Sequence, residues 1–154
     1  MRTPGMLPSE IAPDFELPDQ FGAPQRLSEL LQHGPVALFF YPVASSGGCT
    51  KEMCAVRDAS DDFQAVGAQR VGISRDTVAA QLRFAQQQGF DFPLLSDADG
   101  AVCAAYGVAR SMAAAPVKRQ TVVIGTDGRI VDVVKSEFRF GKHAAKALDA
   151  LQPG

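Results

Sequence analysis

Residues 36–41, Val-Ala-Leu-Phe-Phe-Tyr, form an unbroken apolar run that stops at Pro42. A run without polar alternation suits a strand buried on both faces, which demands packed layers above and below it. A small loop rich in Ser and Gly follows, and Cys49 then opens a segment with helical spacing. Cys49, Met53, Val56, Ser60 and Phe63 fall on one stripe, predicting a helix from Cys49 to about Val66, stopped by Gly67. A cysteine therefore stands at the N-terminus of a helix that leaves a buried strand. The first N–H groups of a helix lack internal partners and its macrodipole is positive there, so a thiol ionises more readily at that end.

The rest of the chain alternates in the same way. Phe15 and Leu17 alternate with polar neighbours and predict a short strand, with a turn at Asp19 to Gly22. Ser28 to Leu31 reads as a helical turn ended by Gly34-Pro35, and Arg70 to Ser74 as a second buried strand. Asp76 can cap a helix carrying Val78, Leu82 and Ala85, which Gly89 ends. Asp91 to Leu95 is a short extended piece, and Pro93 argues against a central place in a sheet. Asp97 to Asp99 open a helix through Tyr106, closed by Gly107, and residues 109–117 are an irregular Ala-rich loop. Gln120–Ile124 and Ile130–Val134 are strands joined at Asp127-Gly128, a hairpin signal, and Ala144, Leu148 and Leu151 mark a last helix. Alternation followed by a hairpin predicts an α/β fold with a mixed central sheet and helices on both faces. Residues 1–154 read as a single domain, with 1–10 a loose leader.

Composition excludes several classes. Formal net charge is −2 and the basic residues are scattered, so no face for nucleic acid or acidic membranes is indicated. No apolar run approaches the ~20 residues of a membrane-spanning helix. The first residues hold Pro4, Pro8 and Glu10 and no apolar core of a signal peptide, which points to the cytoplasm. Three cysteines is an odd count, unlike a secreted disulfide framework. In a reducing compartment a close pair such as Cys49 and Cys54 means redox chemistry or metal. His33 and His143 follow no zinc-ligand spacing, so no metal and no cofactor is expected. There is no C-x-x-C either, which weakens a thioredoxin-type reductase.

Pro42-x-x-x-Ser46-x-x-Cys49 resembles the peroxiredoxin active-site motif, Pro-x-x-x-Thr/Ser-x-x-Cys. The continuation Gly-Cys-Thr-Lys-Glu-x-Cys, ending in Arg57-Asp58, resembles the PrxQ branch, also called bacterioferritin comigratory protein. Ala12 to Asp19 with Gly22 and Leu27-Ser-Glu-Leu30, Val71 to Ser74, Phe92 to Asp97, Tyr106-Gly-Val108 and Arg119 to Ile124 resemble further landmarks, so the likeness covers roughly residues 10–150. Ser46 stands where Thr is commoner, and Gly47 where many members have Pro. The resemblance implies a thioredoxin-like fold and an antioxidant thiol-dependent peroxidase. It would reduce hydrogen peroxide and organic hydroperoxides, be recycled by a thioredoxin-like dithiol protein, and act as a monomer.

Peroxide reduction needs a thiolate, and an ordinary cysteine near ~8.5 is only a few per cent ionised at neutral pH. The helix terminus contributes typically about 0.3–1 kcal/mol toward ionisation, so a nearby guanidinium is needed as well. The resemblance assigns that role to Arg119. On the residues alone Arg119 is equally an arginine at a strand start, with Lys118 its neighbouring competitor. Ser46 would bond the peroxide oxygens and Pro42 shield the thiolate, although both are also ordinary loop residues. Cys54 is the expected resolving cysteine, against a merely structural reading, and Cys103 beside Val102 is by default a small buried residue. An α-helix separates Cα atoms five residues apart by about 8.6 Å, and a disulfide needs less than ~7 Å. A Cys49–Cys54 bond therefore requires the helix to unwind. Two other readings stay open at this point: a redox sensor that signals to a partner, and a disulfide reductase.

Overall fold

The computed structural model describes residues 6–110, 116–136, 139 and 141–151. Its centre is a five-stranded mixed sheet. The apolar run forms β3 (Val36–Phe40), every residue of it buried. It lies between β4 (Gln69–Ser74), parallel to it, and β6 (Gln120–Ile124), antiparallel to it. β5 (Leu94–Ser96) pairs in parallel with β4 at one edge, and β7 (Ile130–Lys135) pairs antiparallel with β6 at the other, giving the order β5-β4-β3-β6-β7. A separate two-stranded ribbon joins β1 (Glu16–Pro18) to β2 (Pro24–Arg26). The Asp19 carboxylate ties its turn, accepting from the N–H groups of Phe21 and Ala23 at 2.9 and 3.0 Å, while Gly22 takes φ +79°.

Period-two alternation along β3 divides the core in two. Val36, Leu38 and Phe40 join Val71, Ile73, Leu95, Val102, Tyr106, Val122 and Ile124 in one cluster. The helices α1 (Leu27–Leu30) and α5 (Ala101–Ala105) supply Leu27, Val102 and Cys103 to that face. Ala37 and Phe39, with the next residue Tyr41, join Cys49, Met53, Val56, Phe63, Phe84, Val123 and Ala147 in the other. That face is covered by α2 (Gly47–Asp58), α3 (Ser60–Ala65), α4 (Val78–Gln88) and α6 (Lys142–Leu151). A fully buried Leu, Ile or Phe stabilises by about 1.5–3 kcal/mol, so both faces anchor the central strand firmly. The mixed sheet with helices on both faces is the architecture expected from the sequence.

Four local readings need correction. The sequence pattern predicts one helix through Val66, yet the chain forms α2 and α3 with a break at Ala59, where φ is −87° and ψ 14°. The Val56 carbonyl, which would serve the next helical turn, accepts from Arg70 Nη1 at 3.1 Å and from the Ala59 N–H at 3.3 Å. Residue 76 does not cap α4. Thr77 does, its hydroxyl accepting from the Ala80 N–H at 3.2 Å. Asp76 instead faces back toward the cysteine loop, accepting from the Ala44 N–H at 2.8 Å and Ser74 Oγ at 2.6 Å. The return strand β2 carries no apolar signal and was not expected. The helix placed from Asp97 to Tyr106 is shorter, because Asp97 spends its side chain on the Val102 and Cys103 N–H groups at 3.2 and 2.8 Å and α5 begins at Ala101. Part of the Ala-rich loop, residues 111–115, lies outside the described residues.

Candidate active site

Strand β3 delivers the chain into the loop Tyr41 to Ser46, and α2 starts directly after it. Ser46 is the N-cap, with extended backbone and its Oγ accepting from the Cys49 N–H at 3.4 Å. The same hydroxyl donates to the Val43 carbonyl at 2.9 Å, which folds the loop back on itself. Cys49 is the third residue of α2 and fully buried. Pro42 opens the loop and is half-buried. Ser45 takes φ +65°, an unusual conformation for a residue with a side chain, as the loop turns toward the helix.

Arg119 reaches this place through strand register. Phe40 pairs with Gln120 across β3 and β6, so Arg119 lies one step further, at the sheet end where β3 feeds the cysteine loop. Its guanidinium lies close enough to the Cys49 side chain for the sulfur to raise its pKa. Its Nη1 also donates to Glu52 Oε1 at 2.7 Å, with side chains 6% and 0% exposed. Burial works against the guanidinium's charge, but the Glu52 carboxylate and the Cys49 sulfur outweigh it and hold the pKa of Arg119 above the ordinary arginine range. Lys118, the neighbouring competitor, stays half-exposed. Cys49 thus sits between a helix N-terminus and a guanidinium.

Glu52 and His143 extend the site beyond what the sequence singled out. Glu52 lies one turn along α2 from Cys49. His143 on α6 is fully buried, with Nδ1 3.8 Å from Glu52 Oε2 and 2.8 Å from Thr121 Oγ1. Its Nε2 lies 2.7 Å from the Ser136 carbonyl. The sequence signal for Glu52 is its place between the two cysteines, within the Gly-Cys-Thr-Lys-Glu-x-Cys stretch that resembles the PrxQ branch. A second buried network supports the loop from below. The Tyr41 hydroxyl bonds Gln81 Oε1, and Gln81 Nε2 donates to Ser74 Oγ and the Leu95 carbonyl at 2.9 and 2.8 Å. Burial pushes the Tyr41 phenol well above its ordinary range, so it is a donor throughout the neutral region.

Cys54 is half-buried and lies on the same uninterrupted α2 as Cys49, five residues on, and both are free thiols. Its Sγ donates to Gln88 Oε1 at 3.5 Å, near the C-terminus of α4. Arg57 donates to the Gln88 carbonyl at 2.6 Å, so this part of α2 meets α4 through polar groups. Cys103 is buried in the cluster on the opposite face of the sheet. Among the described residues no group of three or more His, Cys, Asp or Glu side chains is arranged to hold a metal ion, and no helix is long and apolar enough to cross a membrane.

The AhpC/TSA family model matches residues 8–133. The crystal structure of peroxidoxin BcpB from Mycobacterium tuberculosis is similar at a TM-score of 0.91 and 53% identity, over 95% of this chain and 96% of that one. A bacterioferritin comigratory protein of Xanthomonas campestris, whose structures were described for its alkyl peroxide reduction activity, is similar at a TM-score of 0.80 and 30% identity, over 89% of each chain. Chloroplastic peroxiredoxin Q of Oryza sativa subsp. japonica is 36% identical over 141 residues, 92% of this chain and 64% of its own. The family model spans most of the chain, and these relatives share its fold over nine-tenths or so of its length: the chain belongs to the AhpC/TSA family and is a peroxidase of the peroxiredoxin Q, or bacterioferritin comigratory protein, kind.

Proposed function

We propose that the chain reduces hydrogen peroxide and organic hydroperoxides through Cys49 and closes each cycle with a Cys49–Cys54 disulfide. The Cys49 thiolate attacks one oxygen of the O–O bond. That bond breaks, the sulfur becomes sulfenic acid, and the other oxygen leaves as alkoxide or hydroxide and takes up a proton. Arg119 and the start of α2 carry the negative charge as it moves from sulfur to oxygen, Ser46 bonds the peroxide oxygens, and Pro42 shields the sulfur from bulk water. The Cys54 thiol then attacks the sulfenic sulfur, forming the disulfide and releasing water. A thioredoxin-like dithiol protein restores both thiols by exchange through a mixed disulfide, becoming a disulfide itself. Both sulfurs belong to one helix, so the disulfide forms within one chain; by the family resemblance we take the protein to be a monomer, and we place the cycle in the cytoplasm.

The observation that carries this reading is the contact of Arg119 with Cys49 at the start of a helix that also bears Cys54. The alkyl peroxide activity of the Xanthomonas relative supports the inclusion of organic substrates. The test is mass spectrometry of the reduced protein after one equivalent of peroxide, with the disulfide mapped. A loss of two hydrogens located between Cys49 and Cys54 is the expected result. A bond from Cys49 to Cys103, or a stable sulfenic acid with no bond, would overturn the pairing.

A further inference from the structure

We propose that His143 is a positioning residue of the peroxidatic site: through Glu52 it fastens α2 against α6 in the peroxide-reducing conformation, and its protonation opposes the unwinding that disulfide formation requires. The inference rests on the Cys49–Cys54 reading above and adds to it a group outside the cysteine helix.

The ring's hydrogen bonds determine what protonation changes. Nε2 lies 2.7 Å from the Ser136 carbonyl, which can only accept, so Nε2 carries a hydrogen. In the neutral ring Nδ1 is then an acceptor, and Thr121 Oγ1, 2.8 Å away, donates to it. Nδ1 also lies 3.8 Å from Glu52 Oε2, so the neutral ring turns a lone pair toward the carboxylate region and contributes little to holding it. Protonation replaces that lone pair with an N–H⁺. Glu52 is then shared between two cations, with Arg119 on Oε1 at 2.7 Å and the imidazolium near Oε2.

Among the described residues, the charged or titratable groups facing the ring are Glu52 from α2 and, behind it, Arg119 before β6 and Cys49 at the start of α2. Strand β6 presents Thr121, and the end of β7 presents the Ser136 carbonyl. Lys135 on β7 and Lys146 on α6 are exposed, and Lys142 is half-exposed. Among these groups Glu52 is the carboxylate beside the ring, 3.8 Å from Nδ1, and is the counter-charge this proposal assigns to the imidazolium. Glu52 stands between Cys49 and Cys54, in the segment that must unwind for the sulfurs to meet. Arg119 and His143 belong to other elements and stay behind when it does. Unwinding thus separates Glu52 from both, and it separates more attraction when His143 is charged. At lower pH the sulfenic acid then persists longer in the folded site, where a second peroxide can oxidise it to sulfinic acid. By linkage, forming the disulfide must weaken the ring's hold on its proton by the same factor.

Two measurements test this. The first is a titration of ¹⁵N-labelled histidine rings by NMR in the reduced and disulfide forms of the intact chain. The His143 ring is expected to carry hydrogen on Nε2 when neutral, and to titrate at lower pH in the disulfide form. Identical titration in the two forms, with the Cys49–Cys54 bond confirmed, overturns the role of His143 alone. Absence of that bond overturns the proposed cycle and this role together. The second compares disulfide formation in the wild type and His143→Gln, which keeps an N–H for the Ser136 carbonyl but cannot titrate. The ratio of the variant's rate to the wild type's should rise by roughly threefold or more between about pH 8 and pH 5.5. The variant should also accumulate less sulfinic acid at the lower pH. A rate ratio independent of pH overturns the proposal, and the wild-type titration decides it even where the variant does not fold.

Discussion

Arg119 donates to Glu52 Oε1 at 2.7 Å and holds its guanidinium beside the Cys49 side chain, two groups on one helix. The arrangement fixes the cation by a buried carboxylate, so that its direction does not depend on the charge of the sulfur. It also ties the reactivity of the site to the stability of the fold.

Arg119→Ala should therefore fail in two measurable ways. Peroxide reduction in a single turnover should slow by more than tenfold, a loss above ~1.4 kcal/mol. Chemical denaturation should show a destabilisation of about 3–5 kcal/mol, the usual cost of leaving one partner of a buried pair behind. Arg119→Ala together with Glu52→Gln should recover part of the stability and none of the rate. An unchanged rate in a folded Arg119→Ala variant would remove Arg119 from the chemistry.

Cys54→Ser should separate the two halves of the cycle. The variant should still consume one equivalent of peroxide at close to the wild-type rate, because in the proposed cycle Cys49 alone performs that step. Turnover with a dithiol protein should fall, and sulfinic acid should build up on Cys49 under excess peroxide. The mass of the Cys49 peptide distinguishes these products directly. Full turnover with a Cys49–Cys103 bond would reassign the resolving role.

The third thiol gives a pH-dependent test. Burial, and then the Asp97 carboxylate it hydrogen-bonds, push Cys103 well above the ordinary thiol range. In the folded protein it stays protonated, while in the unfolded chain it ionises near ~8.5. Its contribution to stability is thus fully present below that pH and is lost as pH rises above it. Between about pH 8.5 and 9.5, before unfolded tyrosines ionise near ~10, the wild type should lose stability more steeply than Cys103→Ala. Iodoacetamide at neutral pH should modify Cys103 only under denaturant. Alkylation of Cys103 in the native protein would contradict the burial that the fold gives it.

Local pattern and long-range contact divide what the sequence made legible. Val36 to Tyr41 announced the central strand because burial on both faces leaves no polar alternation to read. Gln120–Ile124 and Ile130–Val134 announced the hairpin through Asp127-Gly128. Cys49 was placed at a helix start by spacing alone, while Arg119 needed the family resemblance to be chosen over Lys118. The break at Ala59 was not readable, since it depends on Arg70 taking the Val56 carbonyl from another strand. Asp76 looked like a helix cap because its chemistry suits one, but tertiary structure uses it on the Ala44 N–H, 32 residues away. Glu52 and His143 were invisible as a pair for the same reason: Glu52 meets Arg119 across 67 positions, and no periodicity encodes such a distance.

The last prediction concerns motion. In the reduced protein α2 runs unbroken from Gly47 to Asp58 and holds both free thiols. Ideal helix geometry sets their Cα atoms about 8.6 Å apart, and side-chain rotation cannot bring that below the ~7 Å a disulfide tolerates. Helix must therefore be lost between Cys49 and Cys54 when the bond forms. The Gly47-Gly48 pair is the natural hinge, because glycine accepts the backbone angles required. Cys54 lies on the polar side of α2, where its Sγ and the Arg57 guanidinium both meet Gln88, so the contact that the Cys54 side chain gives up is polar. Met53 and Val56 are fully buried and should limit how far the unwinding spreads. Amide hydrogen exchange on both redox forms checks this: protection across residues 49–54 should fall on oxidation, while β3 stays protected. Equal protection in the two forms, with the Cys49–Cys54 bond confirmed, would show that the segment bonds its cysteines without unwinding and that α2 is not helical in solution. Unwinding also removes the helix start that stabilises the sulfur anion, so the oxidised protein should not protect peroxide-competent geometry again until a dithiol has reduced it.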